Sequence, residues 1–269
     1  AERVGKLRSS LSRLVSRQGD VALPGYTHMQ PAMPSSVALW CQGFDEALAD
    51  SQEGLAAAER RARKNPLGSA AGYGVPGLPL DRERTRDALG FAETHEPVTA
   101  VQLSRGKGEA GLVFELALMV QDLGRLSADL MLFYTQEFAF VELPDAMTTG
   151  SSIMPQKRNP DVLELVRGAT ATLQACLAEI MGLTAKLGSG YQRDAQRLKA
   201  PLFRAIDLSL DSTAIMAHLL PGVHFVADNI DMDPGIHAAE RANQLVLEKG
   251  MSFRDAYLQV ARELAGGKS

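Results

Sequence analysis

Apolar positions recur at three- and four-residue steps along most of this chain, the spacing of one helix face. Val4, Leu7, Leu11, Leu14 and Val15 form the first stripe, and Gly19-Asp20 ends it. After Pro34-Ser35-Ser36, residues Val37, Trp40, Phe44, Leu48 and Leu55 mark a long second helix that closes near Asn65-Pro66. A short helix over 81–89 is stopped by Gly90. The stretch 112–133 is the most apolar. Leu112, Leu116, Val120, Leu123, Leu130 and Phe133 line one face, with Phe114, Leu118 and Leu126 on others. A helix apolar on several sides is expected to lie among other helices. Two more helices are predicted over 162–187 and 196–219. Pro201 either kinks the second or marks its first turns.

Beyond residue 230 the helices shorten. Amphipathic segments over 234–249 and 253–264 are split by Gly250-Met251-Ser252, and Ser252 with Asp255 resembles a capping box. Strand alternation is nearly absent, and residues 24–34 read as a polar loop opening the Trp40 helix. The expected fold is therefore all-α, a bundle of long helices over 1–230 with a small helical domain beginning over 231–269.

Composition narrows the class further. Of 269 residues 45% are hydrophobic and 22% charged, an ordinary globular balance. A net charge of −4 offers nothing to nucleic acid or an anionic membrane, and neither is an expected partner. Cys41 and Cys176 are too few for a disulfide framework, so a reduced cytoplasmic setting is expected, and no apolar run reaches transmembrane length. Gly106-Lys107-Gly108-Glu109-Ala110-Gly111 matches a dinucleotide-binding pattern by letter. No βαβ unit surrounds it, so these glycines read as a turn that approaches something closely. Glu59-Arg60-Arg61-Ala62-Arg63-Lys64 reads as a solvated helix C-terminus, where cations suit the helix dipole. The five histidines show no metal-ligand spacing.

Three polar loops remain. Thr148-Thr149-Gly150-Ser151-Ser152-Ile153-Met154-Pro155-Gln156-Lys157-Arg158-Asn159-Pro160-Asp161 interrupts two apolar runs with far more chemistry than a connector needs. Pro24-Gly25-Tyr26-Thr27-His28-Met29-Gln30 and Ser189-Gly190-Tyr191 through Lys199 each open a helix. Together these loops resemble the fumarase/aspartase superfamily and, within it, the argininosuccinate lyase branch. Gly150, Ser151, Ser152, Met154, Pro155, Lys157 and Asn159 carry the superfamily signature, and the continuation to Glu164 is similar to the argininosuccinate branch. The resemblance runs from about residue 20 to about 264.

The resemblance implies a cofactor-independent C–N lyase of arginine biosynthesis, eliminating fumarate from argininosuccinate to leave arginine. Such a reaction removes a weakly acidic proton next to a carboxylate and must stabilise a doubly charged aci-carboxylate. Ser151 resembles the family's base, with Lys157 supplying positive field and Asn159 an amide donor. His28 resembles the group that protonates the leaving nitrogen, and Glu164 the carboxylate that orients it. The opposite roles for His28 and Ser151 stay open at this stage. Thr27, Tyr191, Gln196 and Lys199 match substrate-binding positions. The resemblance further implies a homotetramer with each active site built from three chains.

Two departures accompany it. Where many relatives carry serine-aspartate-arginine-aspartate, this chain has Gln102-Leu103-Ser104-Arg105-Gly106-Lys107-Gly108-Glu109, so Arg105 and Lys107 are expected to meet substrate differently. Relatives also carry a substrate loop before the equivalent of Ala1 and further residues after the equivalent of Leu264. On that basis the chain is expected to be a fragment, one part of a split enzyme or an inactive homologue. Little lyase activity is expected until the N-terminal portion is supplied. The alternatives to argininosuccinate cleavage are another superfamily lyase, such as adenylosuccinate lyase, and a non-catalytic structural or regulatory homologue.

Overall fold

A computed structural model describes residues 2–266. Helix α1 (Glu2–Gln18) leads into an antiparallel hairpin, β1 (Ala22–Thr27) and β2 (Gln30–Ser36), and then α2 (Val37–Ala62). A connecting region follows, made of β3 (Lys64–Asn65), α3 (Arg82–Leu89), β4 (Glu93–Thr94) and α4 (Ala100–Leu103). The central helix α5 (Lys107–Phe133) leads to three short strands, β5 (Val141–Glu142), β6 (Thr149–Gly150) and β7 (Arg158–Asn159). Helices α6 (Asp161–Thr184) and α7 (Lys199–Leu219), strand β8 (His224–Phe225), and helices α8 (Ala238–Lys249) and α9 (Phe253–Gly266) complete the chain.

Periodicity and caps explain most of these boundaries. The Ser36 hydroxyl accepts from Leu39 N at 3.1 Å to start α2. Asp81 caps α3 through Arg84 N, and Gly90 closes it in the left-handed conformation at φ 71°. Pro201 falls in the first turn of α7, where its missing N–H costs no helix bond. The Asp255 N–H donates to Ser252 Oγ at 3.2 Å at the start of α9.

The hairpin over 22–36 differs from the loop expected there. Its two-residue turn, His28-Met29, has both residues left-handed at φ 52° and 61°. That turn geometry favours Asn-Gly, so its usual sequence signal is missing, and three prolines within the strands obscure the alternation.

Helix α5 forms the axis of the bundle, packed against α6, α2 and α7, while α1 packs on α2 and α7. Its Val113, Val120, Leu123, Leu126 and Leu130 are completely or almost completely buried and share one core with Leu163, Leu173 and Ile180 of α6. Phe114 and Leu118 stay 47% and 42% exposed, so a single chain leaves part of α5 uncovered. Around the hairpin end, the Trp40 ring packs on Phe44, Phe133 and Phe225. The Gln18 side-chain amide acts as an extra strand rung, donating to Phe225 O and accepting from Phe225 N, both at 2.8 Å. A separate small cluster, Ala242, Leu245, Ala256 and Val260, joins α8 to α9. Residues 267–269 of the expected C-terminal segment, and Ala1, lie outside the described residues.

The glycine-rich run 106–111 has the structural role read from the sequence. Gly106 sits at φ 81° just before α5, where a Cβ would lie 2.3 Å from Thr184 Cγ2 at the end of α6. Gly106→Ala is therefore expected to destabilise the fold by about 1–3 kcal/mol, from overpacking and a strained backbone together. Adding Thr184→Ala should recover only part of that loss, because the backbone strain remains. Urea denaturation of the parent, single and double variants checks this; a neutral Gly106→Ala would refute the close approach.

Candidate active site

The signature loop is pinched at its base. Thr149 pairs with Asn159 and Gly150 with Arg158, so residues 151–157 project as one closed loop from the N-terminus of α6. The Thr149 hydroxyl hydrogen-bonds Asp161 in the first turn of α6, and Arg158 Nη2 lies 3.8 Å from Asp145 Oδ1. Within the loop, Ser151 Oγ accepts two backbone N–H groups, from Ile153 at 3.3 Å and Met154 at 3.2 Å. The Lys157 N–H donates to Met154 O at 3.0 Å, which turns the chain back toward β7.

Lys157, Asn159 and Glu164 open onto one cleft of about 770 Å³, which Tyr134, Glu137 and Asn229 also line. Burial pushes the Tyr134 phenol up, with the Arg158 guanidinium opposing the shift. Tyr134 and Asn229 escaped sequence reading because neither belongs to a local pattern. Asn229 reaches the cleft across the fold, its amide donating to Ala139 O at 2.8 Å.

Thr27 and His28 sit at the exposed tip of the β1–β2 hairpin. His28 lines a different cavity, of about 500 Å³, with Met29, Trp40 and Asp129. Among the described residues no hydrogen bond or ion pair joins His28 to Glu164.

Tyr191 and Gln196 lie at the other end of the bundle, in the connection from α6 to α7, and Lys199 is the first residue of α7. Gln196 Nε2 donates to Tyr191 Oη at 3.3 Å. Helix α6, with 24 residues, spans about 36 Å, and that length separates this cluster from the Ser151 loop within one chain. Arg105 and Lys107 belong to this far end too, beside the start of α5. Arg105 Nε is held by Glu109 Oε1 at 3.4 Å, while Lys107 is exposed. The structure therefore gathers Lys157, Asn159 and Glu164 at one cleft, carries Ser151 on the same closed loop as Lys157, and joins Tyr191 with Gln196. It leaves His28 and the Tyr191 cluster apart from the Ser151 loop. Among the described residues, no group of three or more His, Cys, Asp and Glu side chains could hold a metal ion. None of their helices is long and apolar enough to cross a membrane.

Comparison with known proteins adds a second kind of observation. A family model described as "Lyase" matches residues 1–174. The argininosuccinate lyase of Sorangium cellulosum is 42% identical over 267 residues, covering 98% of this chain and 61% of that protein. The argininosuccinate lyase of Phocaeicola vulgatus is 43% identical over 272 residues, covering 100% of this chain and 60% of that protein. This chain thus spans about 60% of the length of these curated relatives. Among solved structures, an EDDS lyase in complex with formate superimposes with a TM-score of 0.89 at 25% identity, over 98% of this chain and 53% of that one. A class II fumarase from Schistosoma mansoni shares the fold, with a TM-score of 0.83 at 18% identity, over 100% of this chain and 60% of that one.

A carboxylate lining the His28 cavity, Asp129, gives a stability test of this end of the bundle. Trp40 Nε1 donates to Asp129 Oδ2 at 3.0 Å, yet burial pushes the Asp129 carboxyl up, with that hydrogen bond and Arg125 opposing. A folded-state value above the unfolded one means that the folded chain holds the proton longer. The contribution is then full below the unfolded value of about 4 and lost as pH rises through the raised one. Asp129→Asn keeps an acceptor for Trp40 and should remove this component, so stability falls less between pH 4 and pH 7 than in the parent. Urea midpoints across that range test it; an unchanged pH profile would refute the assignment.

Proposed function

This chain belongs to the lyase family of the fumarase/aspartase superfamily, and on that premise we propose that the whole protein is an argininosuccinate lyase. In this reading it cleaves argininosuccinate to arginine and fumarate in arginine biosynthesis, using neither a metal nor an organic cofactor. The observation that carries the reading is the loop 150–159, with two backbone N–H groups on Ser151 Oγ and Lys157 on the same turn.

A serine hydroxyl is a weak base unless its deprotonated form is stabilised. Two N–H donors aimed at the oxygen favour the anion, and in this reading the Lys157 ammonium of the same loop adds positive field. In the proposed reaction the Ser151 alkoxide takes the proton from the carbon beside a succinyl carboxylate. The electron pair moves onto that carboxylate, where Lys157 and Asn159 stabilise the aci form. Collapse makes the C=C bond of fumarate as the C–N bond breaks, and His28 delivers a proton to the departing guanidine nitrogen.

One chain does not supply all these groups at one place, and the proposed assembly does. Substrate would lie between the Ser151 loop of one copy, the Thr27-His28 hairpin tip of another and the Tyr191-Gln196-Lys199 cluster of a third, in a homotetramer. Glu164 then orients a His28 imidazole belonging to another copy. Large apolar side chains left on the outer faces of α6 and α7, including Leu165 at 75% exposure, Met181 and Phe203, support such an association. Residues 231–269 are taken as the start of a second domain, and the free, buried Cys41 and Cys176 suit a reduced cytoplasmic setting.

Fumarate release measured against argininosuccinate and adenylosuccinate tests the reaction, with turnover expected only for argininosuccinate. Ser151→Ala should lower kcat by at least ~10²-fold, the usual contribution of a positioned base, while fold, assembly and substrate binding persist. Near-normal turnover in that variant would move the base elsewhere, with His28 the first candidate.

His28→Asn and Glu164→Gln should each slow the reaction, and the double variant should be little worse than either single one, because the pair acts as a unit. Independent, multiplying losses would mean that the two side chains do not cooperate.

A further inference from the structure

Residues 68–77 connect β3 to α3 and take no part in the core, yet their backbone is the most contorted in the chain. Gly68, Ala70, Gly72, Gly74 and Gly77 are all left-handed, Ala70 at φ 47° without the freedom of glycine. The Gly72 and Gly74 N–H groups both donate to Ser69 O, at 2.8 and 3.0 Å. Holding a non-glycine residue this way costs on the order of 1 kcal/mol, so the surroundings must impose it. The Tyr191 loop packs directly against this segment. Tyr191 N donates to Ala71 O at 3.0 Å, and a Cβ at Gly72 would lie 3.5 Å from Gly190 Cα.

This docking presents one side chain. The Tyr73 ring covers Gly190 so closely that a Cβ there would fall 3.2 Å from Tyr73 Cε2 and 3.3 Å from Tyr73 Oη. Its hydroxyl lies 3.4 Å from Ser189 Oγ, and the residue is still 65% exposed. So large an exposed fraction adds little core stability for the strain spent in placing it. The side chains in hydrogen-bond contact with Tyr73 and with Tyr191 are uncharged, a hydroxyl and an amide. Tyr191 Oη accepts from the Gln196 amide, which leaves the Tyr191 hydroxyl proton free to donate outward. With Ser189 Oγ donating across the 3.4 Å contact, the Tyr73 hydroxyl proton is likewise free to donate outward, and Lys199 begins α7 at the end of this connection. Hydroxyl donors with a cation match a carboxylate and repel a guanidinium.

We propose that Tyr73 is a specificity-determining residue, donating its hydroxyl proton to the carboxylate on the amino-acid half of the substrate, beside Tyr191 and Lys199. This rests on the lyase reading above and extends it to a residue outside the three signature loops. Tyr73→Phe removes the donor and keeps the ring over Gly190, so the loop geometry should survive, which thermal melts would verify.

Calorimetric binding to the whole protein then discriminates, with arginine, agmatine (arginine without its carboxylate) and fumarate as probes. Tyr73→Phe should weaken arginine binding about tenfold, the usual effect of losing one hydrogen bond to a charged group. Agmatine and fumarate should bind as they do to the parent. Unchanged arginine affinity would overturn the role of Tyr73 and leave the lyase reading intact. Equal weakening of agmatine would also overturn it, by pointing to packing instead of carboxylate recognition. A parent that binds neither arginine nor fumarate and leaves argininosuccinate uncut would overturn the lyase reading and this inference with it.

Discussion

The close antiparallel packing of α5 on α6 governs where everything else in this molecule lies. Glycines on α5 and at its N-cap allow it: a Cβ at Gly124 would stand 2.9 Å from Thr170 Oγ1, and Gly106 meets Thr184 still more tightly. Backbones that approach this closely can interlock in only one axial register, because sliding either helix would drive side chains into the glycine gaps. That register sends the loop before α6 to one end of the bundle and the loop after it to the other. The separation of the Ser151 loop from the Tyr191 cluster follows from helix length and register, whatever the loops contain.

At the Ser151 end, short strand pairs replace a large scaffold. Two residues of β6 against two of β7 close the loop, while β5 against β8 ties the end of α5 to the end of α7. Such pairs are weak alone, but each is anchored by a helix terminus that the core holds rigidly. The loop itself makes mostly local hydrogen bonds and stays exposed, which suits a segment that must open and close over a substrate. At the other end, the contorted 68–77 segment serves as a second wall for the Tyr191 loop. Both ends thus follow one plan, with chemistry-bearing loops carried on a framework whose stability lies elsewhere.

How much of this was legible in the sequence depended on the range of the interactions involved. The stripes through Leu7, Leu48 and Leu123 located the helices, and Ser36 and Gly90 marked two of their ends, because helix bonds and caps reach only a few residues. The hairpin at His28-Met29 was missed, since its left-handed turn is imposed without Asn-Gly. The role of the 68–77 segment was missed because its conformation depends on Gly190 and Tyr191, more than a hundred residues away. Tyr73 carries no local mark that separates it from any surface tyrosine.

The sequence by itself determined the all-α class, the helix positions and the chemistry gathered in the Ser151 loop, since each depends on neighbours along the chain. It also carried the polar character of the other two loops. Only the tertiary structure decided that Lys157, Asn159 and Glu164 share one cleft, that His28 faces another, and that Tyr191 stands a helix length away beside Tyr73. Those relations depend on how two apolar faces interlock across the bundle, and a one-dimensional pattern specifies that each face is apolar without specifying its register against the other.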